Sequence, residues 1–246
     1  MPPSRGRRTV VIPAHGLGSR LRDVTLGLPK TLIEVGGEPI LARLLRAVAT
    51  LDDVRVLVYA QPGEERFDAF LATAAFGIPV ELGRRSPQGY LRDLADISAT
   101  AGDEVTVLDS DLVVPHDELC AYLHEAAVRP PGEWLLFGVS ATPPSADPRS
   151  IRPTIGPDGA VRLAPGPAAE VPRSMGAYHW RPAAMADARR FVARGHGSFH
   201  DYCEQLERHG RRVGLIEFTA ALNVNTRAEL DLAEATVRGW RVAGVG

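Results

Sequence analysis

The feature that most constrains the fold of this chain is an alternation of short apolar runs with amphipathic patterns over residues 9–139. The apolar runs have the length of strands, and the patterns between them have the period of helices. Such alternation favours an open, mostly parallel sheet covered by helices on both faces. We predict strands over residues 9–14, 54–60, 79–82, 104–108 and 133–139, and helices over residues 39–51, 64–75, from about 89 and from about 116.

The pattern changes after residue 140, where a loop rich in Pro, Ala and Ser covers residues 141–150. Pro157-Asp158-Gly159 at the centre of residues 154–163 predicts a hairpin. This second part is expected to form the other side of a cleft within one domain that spans residues 1–246. After a further loop over residues 164–173, we predict strands over residues 175–180 and 213–218, and helices over residues 182–193, 199–209 and from about 226.

Composition excludes several classes of protein. The 246 residues are 45% hydrophobic, which suffices for a full core, and the net charge of −2 gives no basic field for nucleic acid. No apolar run approaches the length of a membrane span. Cys120 and Cys203 match no metal or redox spacing, so we expect free thiols and a cytoplasmic location.

The basic residues comprise 27 arginines and a single lysine, Lys30. Lys30 follows the segment Gly16-Leu17-Gly18-Ser19-Arg20, which comes directly after the first predicted strand. Glycines there let backbone N–H groups approach a phosphate, and a compact ammonium acts on phosphate in a way that a planar guanidinium does not. The spacing matches neither the P-loop nor the full dinucleotide fingerprint. The pattern indicates a triphosphate site, and the alternative is a solvated loop with incidental charges.

Residues 14–21, with Thr25, Pro29-Lys30 and residues 35–40, resemble the N-terminal signature of the sugar-nucleotide nucleotidyltransferases. Ten residues separate Arg20 from Lys30, as is usual in that family, whereas molybdopterin guanylyltransferases share the opening but place their lysine closer. The resemblance implies a three-layer α/β/α Rossmann-like fold of the GT-A-like kind with a mostly parallel mixed sheet. It also implies a nucleotide-binding half at about residues 9–114 and an acceptor-binding half at about 115–225.

Three later segments fit the same resemblance. Residues 86–89 are similar to the loop that holds the base, although they also suit a plain turn before a helix. Asp109 and Asp111 end a predicted strand where open α/β folds bind ligands, and carboxylates suit Mg²⁺ there. Asn225 aligns with the family's second metal ligand. Helix capping is the alternative for both acidic residues and for Asn225.

The resemblance implies a role for each matched residue, with Mg²⁺ as the cofactor. The chain departs from the family pattern at two points. His15 stands where the family usually has Ala or Gly. No second lysine remains to contact the acceptor phosphate, so Arg152, Arg162 or Arg173 must replace that lysine. The implied catalytic residues are Arg20 and Lys30; the nucleotide contacts are Ala14, His15, Gly16, Leu17, Gly18, Ser19, Gln88, Gly89 and Asp109; the metal ligands are Asp111 and Asn225; the acceptor contacts are Arg173, Gly176 and Tyr178.

The activity implied is transfer of a nucleoside monophosphate from a nucleoside triphosphate to a sugar 1-phosphate, with release of pyrophosphate. One alternative is a cytidylyltransferase that acts on a non-sugar phosphate or phosphonate such as phosphocholine. Another is a catalytically inactive nucleotide-binding or regulatory relative. The expected partners are the nucleoside triphosphate and a phosphorylated small-molecule acceptor, without nucleic acid or membrane, and a homodimer is an open expectation.

Overall fold

The computed structural model describes residues 7–16, 18–21, 25, 27–102, 104–129, 132–141, 151–155, 161–165 and 173–243. Within them, no helix combines the length and apolar character needed to cross a membrane. The strands are β1 (Arg8–Pro13), β2 (Val54–Ala60), β3 (Val80–Arg84), β4 (Val105–Leu108), β5 (Leu112–Val113), β6 (Leu135–Ser140), β7 (Ile151–Ile155), β8 (Val161–Pro165), β9 (Arg173–Trp180), β10 (Val213–Glu217) and β11 (Leu222–Asn223). The helices are α1 (Ile40–Val48), α2 (Arg66–Thr73), α3 (Tyr90–Ala101), α4 (His116–Val128), α5 (Pro182–Ala193), α6 (Phe199–Arg208) and α7 (Arg227–Ala243).

Seven strands form the main sheet, in the order β10–β6–β9–β4–β1–β2–β3. All neighbouring strands run parallel except β9, which is antiparallel to both β4 and β6. The described residues thus confirm the mostly parallel mixed sheet and its Rossmann-like class. Because parallel strands end at one edge, the loops after β1, β3 and β4 lie together there.

Both faces of the sheet are covered. Along β1, Val10 and Ile12 belong to the hydrophobic cluster on one face, and Val11 belongs to the cluster on the other. This alternation is the period-two pattern of a strand that is buried on both sides. Residues of α1, α4 and α7 join the first cluster, and residues of α3, α5 and α6 join the second, which gives three layers.

Two short pairings accompany the main sheet. The predicted hairpin is confirmed by the antiparallel pair β7 and β8, while its centre, Pro157-Asp158-Gly159, lies outside the described residues. The pair β5 and β11 is antiparallel and was not predicted. Strands of two residues carry no periodic signal, so the sequence gives no indication of this pair.

Candidate active site

Lys30 lies at the centre of a polar cluster at the carboxyl edge of the sheet. Its Nζ donates to Oδ2 of Asp111 at 2.6 Å and to Oδ1 of Asn225 at 2.9 Å. Arg20 donates to the same Asn225 oxygen at 3.3 Å. The Lys30 and Asp111 side chains are only 16% and 13% exposed, so solvent screens this ion pair weakly. The structure therefore brings together the two predicted catalytic cations and the two predicted metal ligands.

The pairing of β5 with β11 holds Asp111 and Asn225 side by side. Asp111 immediately precedes β5, and Asn225 comes two residues after β11. The backbone N–H of Val224 donates to the Asp111 carbonyl at 2.9 Å, and Asn223 Nδ2 donates to Asp111 Oδ1 at 3.2 Å. Asn223 also donates to the Met175 carbonyl at 3.2 Å, which ties the cluster to β9. These backbone and amide contacts fix the separation of the two side chains.

The Asn225 side chain is not the cap of α7. The Thr226 hydroxyl accepts the Glu229 backbone N–H at 3.3 Å, and a Glu229 carboxylate oxygen accepts the Asn225 backbone N–H at 2.8 Å. Thr226 and Glu229 stand in the positions of a capping box, but the carboxylate reaches the N–H of Asn225, one residue before the cap. This arrangement leaves the Asn225 side-chain oxygen to the cations of the cluster.

The oxygens of Asp111 and Asn225 suit a magnesium ion. Both point at one cation, the Lys30 ammonium, and carboxylate and amide oxygens are ligands that Mg²⁺ accepts. Among the described residues, no group of three His, Cys, Asp or Glu side chains forms an alternative metal site. Two protein oxygens are a usual share for Mg²⁺, since phosphate and water supply the others.

Asp109 occupies a different position from Asp111. Tyr90 donates its hydroxyl to Asp109 Oδ1 at 2.8 Å, and the Asp109 backbone N–H donates to the Gly176 carbonyl at 2.7 Å. Burial, followed by the nearby negative charge of Asp111, raises the pKa of Asp109 well above the usual range of a carboxyl group. Gly176 has φ +78°, and a Cβ there would lie 2.7 Å from Asp109, so only glycine fits.

His15 follows β1 and turns its ring toward α3. Its Nε2 lies 3.0 Å from Oδ2 of Asp93, and both side chains are buried. Asp93 also accepts from Arg85 Nε at 2.9 Å and from the Gln88 backbone N–H at 3.2 Å to each oxygen. Thus His15 and Gln88, two predicted nucleotide contacts, are joined through a carboxylate that the sequence did not single out.

Two cavities adjoin this edge of the sheet. One, of about 260 Å³, is lined by residues that include His15, Lys30, Gly89, Tyr90, Asp109 and Asp111. The other, of about 180 Å³, is lined by residues that include Ala14, Gly16, Gly18, Lys30 and Thr25. Gly16 and Lys30 line both cavities. The arrangement offers adjacent spaces for a nucleoside and for phosphates.

The remaining predicted residues are less informative. Ser19 begins a 3₁₀ turn that ends at Leu21, and Leu17 lies outside the described residues. On the acceptor side, Arg152 and Arg173 are buried, and Arg162 is exposed on β8. Tyr178 is buried and its hydroxyl accepts from Ser174 at 2.9 Å. The acceptor roles of Arg173, Gly176 and Tyr178 stay predictions.

Sequence reasoning missed three polar residues of the site. Asp93 lies in the first turn of α3, where an acidic residue is usual for helix stability alone. Asn223 falls within the same segment as Asn225, but its link to Asp111 depends on the pairing of β5 with β11. Tyr90 is the first residue of α3, and its hydrogen bond to Asp109 was not predicted either. None of these three contacts has a sequence motif.

Residues 10–155 match the family described as the MobA-like NTP transferase domain. Over 157 residues the chain is 31% identical to the bifunctional protein GlmU of Paracidovorax citrulli, covering 62% of this chain and 31% of that protein. Over 121 residues it is 33% identical to a 2-C-methyl-D-erythritol 4-phosphate cytidylyltransferase of Saccharopolyspora erythraea, covering 48% of this chain and 50% of that protein. These matches span at most half of the length of either relative.

Solved structures of similar fold extend over nearly the whole chain. A Bacillus anthracis protein described as a glucose-1-phosphate thymidylyltransferase has a TM-score of 0.78 at 17% identity, covering 94% of this chain and 95% of that one. The inositol-1-phosphate CTP transferase of T. maritima has a TM-score of 0.74 at 15% identity, covering 96% and 97%. At these identities the likeness establishes the common fold.

Proposed function

The chain belongs to the MobA-like NTP transferase family, and from that premise we propose that it transfers a nucleoside monophosphate from a nucleoside triphosphate to a sugar 1-phosphate. The observation that carries the proposal is the convergence of Lys30 and Arg20 on the oxygens of Asp111 and Asn225. Two cations and two hard oxygen ligands, beside a glycine loop at the carboxyl edge of a parallel sheet, suit the handling of a triphosphate.

In the proposed reaction, an oxygen of the acceptor phosphate attacks the α-phosphorus in line. A new P–O bond forms there, the bond from the α-phosphorus to the bridging oxygen breaks, and pyrophosphate leaves with the electron pair. Catalysis of this kind depends mainly on positioning and charge stabilisation. When bound by Asp111 and Asn225, Mg²⁺ would neutralise phosphate charge and orient the phosphoryl groups.

The residues of the chain have distinct parts in this proposal. Backbone N–H groups of residues 14–20, together with Arg20, hold the triphosphate. Lys30 neutralises the negative charge that develops on the α-phosphoryl group, where a compact ammonium reaches a single oxygen. Asp109, held by Tyr90, faces the larger cavity and contacts the nucleoside.

A second candidate is transfer from CTP to a phosphate ester that is not a sugar 1-phosphate. It is favoured by the match to a 2-C-methyl-D-erythritol 4-phosphate cytidylyltransferase. It is also favoured by the sequence, since Lys30 is the only lysine and none remains for an acceptor phosphate. The two candidates differ in base and acceptor, and they use the same cluster around Lys30.

A screen for pyrophosphate release tests both candidates. The purified protein is incubated with Mg²⁺, one of CTP, UTP, dTTP, ATP or GTP, and one of a panel of sugar 1-phosphates and other phosphate esters, and each product is identified by its mass. We expect turnover with one pair, loss of turnover in Asp111→Ala, and full turnover in Asp117→Ala, which alters an exposed carboxylate on α4. Triphosphate binding without turnover on any acceptor would instead support an inactive nucleotide-binding relative.

A further inference from the structure

The Asp93 carboxylate lies beneath two loops that border the larger cavity: the glycine loop, residues 14–20, and the base loop, residues 86–89. It contacts His15 of the first loop at 3.0 Å and the backbone N–H of Gln88 in the second at 3.2 Å. It also accepts from Arg85, which lies between β3 and the base loop, at 2.9 Å. One side chain therefore connects two segments that are far apart in the sequence, the glycine loop and the continuous stretch of residues 85–89.

The burial of this group makes the connection stiff. The side chains of His15 and Asp93 are 6% and 5% exposed, so neither exchanges its partner for water at low cost. Because an ionised carboxylate only accepts hydrogen bonds, the facing Nε2 of His15 carries a proton. Asp93 also lies in the first turn of α3, where the helix dipole favours a negative charge. The carboxylate is thus satisfied only while both loops keep their positions.

We propose that Asp93, acting through His15 and Gln88, is a positioning residue that sets the affinity for the nucleoside triphosphate and the selectivity for its base. The proposal rests on the proposed function, because it assigns a role to the wall of the same cavity. Both loops border this cavity through His15, Gly16, Pro87 and Gly89. Groups that contact a ligand lose most of their effect when they are displaced, and a displacement of about 1 Å costs about 100-fold in reaction rate.

A neighbouring residue separates this role from simple stabilisation of α3. Asp96 lies one turn further along the same helix and also forms an ion pair with Arg85. Its side chain is 48% exposed, and within the described residues it has no hydrogen bond to His15 or to the base loop. Asp93→Asn and Asp96→Asn each remove one carboxylate from Arg85, but only the first acts on the two loops.

The test is a calorimetric titration of the full chain with CTP, UTP, dTTP, ATP and GTP in Mg²⁺. For Asp93→Asn we expect the Kd of the preferred triphosphate to rise at least about 10-fold, and its advantage over the next triphosphate to shrink. Asp96→Asn should stay within about twofold of the parent. The thermal midpoint of each variant verifies folding, and His15→Ala, which keeps the Arg85 and Gln88 contacts of Asp93, should shift affinity and selectivity in the same direction.

The two hypotheses fail in different ways. If the parent binds none of the five triphosphates, the proposed function is wrong. If the parent binds one of them, but folded Asp93→Asn and His15→Ala match Asp96→Asn in affinity and in base preference, Asp93 is only a structural residue. Should Asp93→Asn not fold, Asp93→Glu, which keeps the charge but displaces the carboxylate, takes its place in the same comparison with Asp96→Asn. If Asp93→Asn raises the KM for the triphosphate and leaves the KM for the acceptor unchanged, the result supports the positioning role of Asp93.

Discussion

Replacing Lys30 by Met should make the stability of the protein depend on Mg²⁺. The Lys30 ammonium lies 2.6 Å from Asp111 and 2.9 Å from Asn225, at the point where their oxygens converge. Breaking a buried ion pair by removing one partner typically costs about 3–5 kcal/mol. Asp111 keeps its hydrogen bond from Asn223 at 3.2 Å, and its side chain is 13% exposed, so its charge is not left wholly unpaired. We therefore expect Lys30→Met, without metal, to lose about 2–3 kcal/mol of unfolding free energy.

The assay is thermal unfolding in EDTA and in excess Mg²⁺. A loss of about 2–3 kcal/mol corresponds to a fall in Tm of about 4–12 °C for a chain of this size. A ligand at 100 times its Kd stabilises the folded state by about 2.7 kcal/mol, so Mg²⁺ should restore most of that loss. The parent should respond less, because Lys30 competes with the metal for the same oxygens.

The control is Arg55→Met, which removes a cation from the more exposed pair with Glu81. Such exposed pairs contribute about 0–1 kcal/mol to the free energy of unfolding, and Arg55 lies on β2, far in sequence from both proposed metal ligands. We therefore expect a small effect that Mg²⁺ does not reverse. The reasoning is refuted if Lys30→Met unfolds at the parent's midpoint in EDTA, or if Mg²⁺ raises the midpoints of parent and variant equally.

Three further predictions concern single sites. Gly176→Ala should lower the free energy of unfolding in urea by at least about 1–3 kcal/mol, because φ is +78° and the new Cβ would lie 2.7 Å from Asp109. A variant as stable as the parent would contradict this prediction. Asn225→Ala should require more Mg²⁺ for half-maximal turnover, whereas Asn225→Asp should not, and equal requirements in a magnesium titration would leave the side chain without a metal role. Glu104 has a pKa lowered to about 2 by the hydrogen bond from His179, so its stabilising effect is present above about pH 4.5 and lost as the pH falls toward 2. Glu104→Gln should accordingly lose less stability than the parent between pH 5 and pH 3 in urea unfolding, and parallel curves would exclude this contribution.

The parts of the fold that were predictable carry a repeated local signal. Strand β1 has apolar residues on both faces, and α1 has a clear apolar face, so each element is recognisable without its neighbours. The glycine loop and Lys30 were predictable for a related reason, since their chemistry depends on close sequence spacing. The direction of β9 relative to its neighbours depends on long connections, and periodicity does not encode it.

The site was predictable as a set of residues, but its internal contacts were not. Asp111 and Asn225 were expected to share a metal, and the structure places both against Lys30. The link through Asn223 depends on a pair of two-residue strands, and the link through Asp93 depends on a helix packing beside the glycine loop. Both arise from tertiary packing, which the local sequence of either partner does not reveal.

The pairing of β5 with β11 has a consequence for the biosynthesis of the protein. The Asn223–Asp111 contact joins residues 112 positions apart, so closing this loop costs about 4 kcal/mol of chain entropy. At about 5–20 residues per second, a ribosome needs about 6–22 s to synthesise that interval. During that time Asp111 and Lys30 are already present in the nascent chain, while Asn223 and Asn225 are still missing. The polar cluster around Lys30 is therefore among the last parts of the molecule to assemble, and a chain released before β11 carries the glycine loop without Asn223 and Asn225.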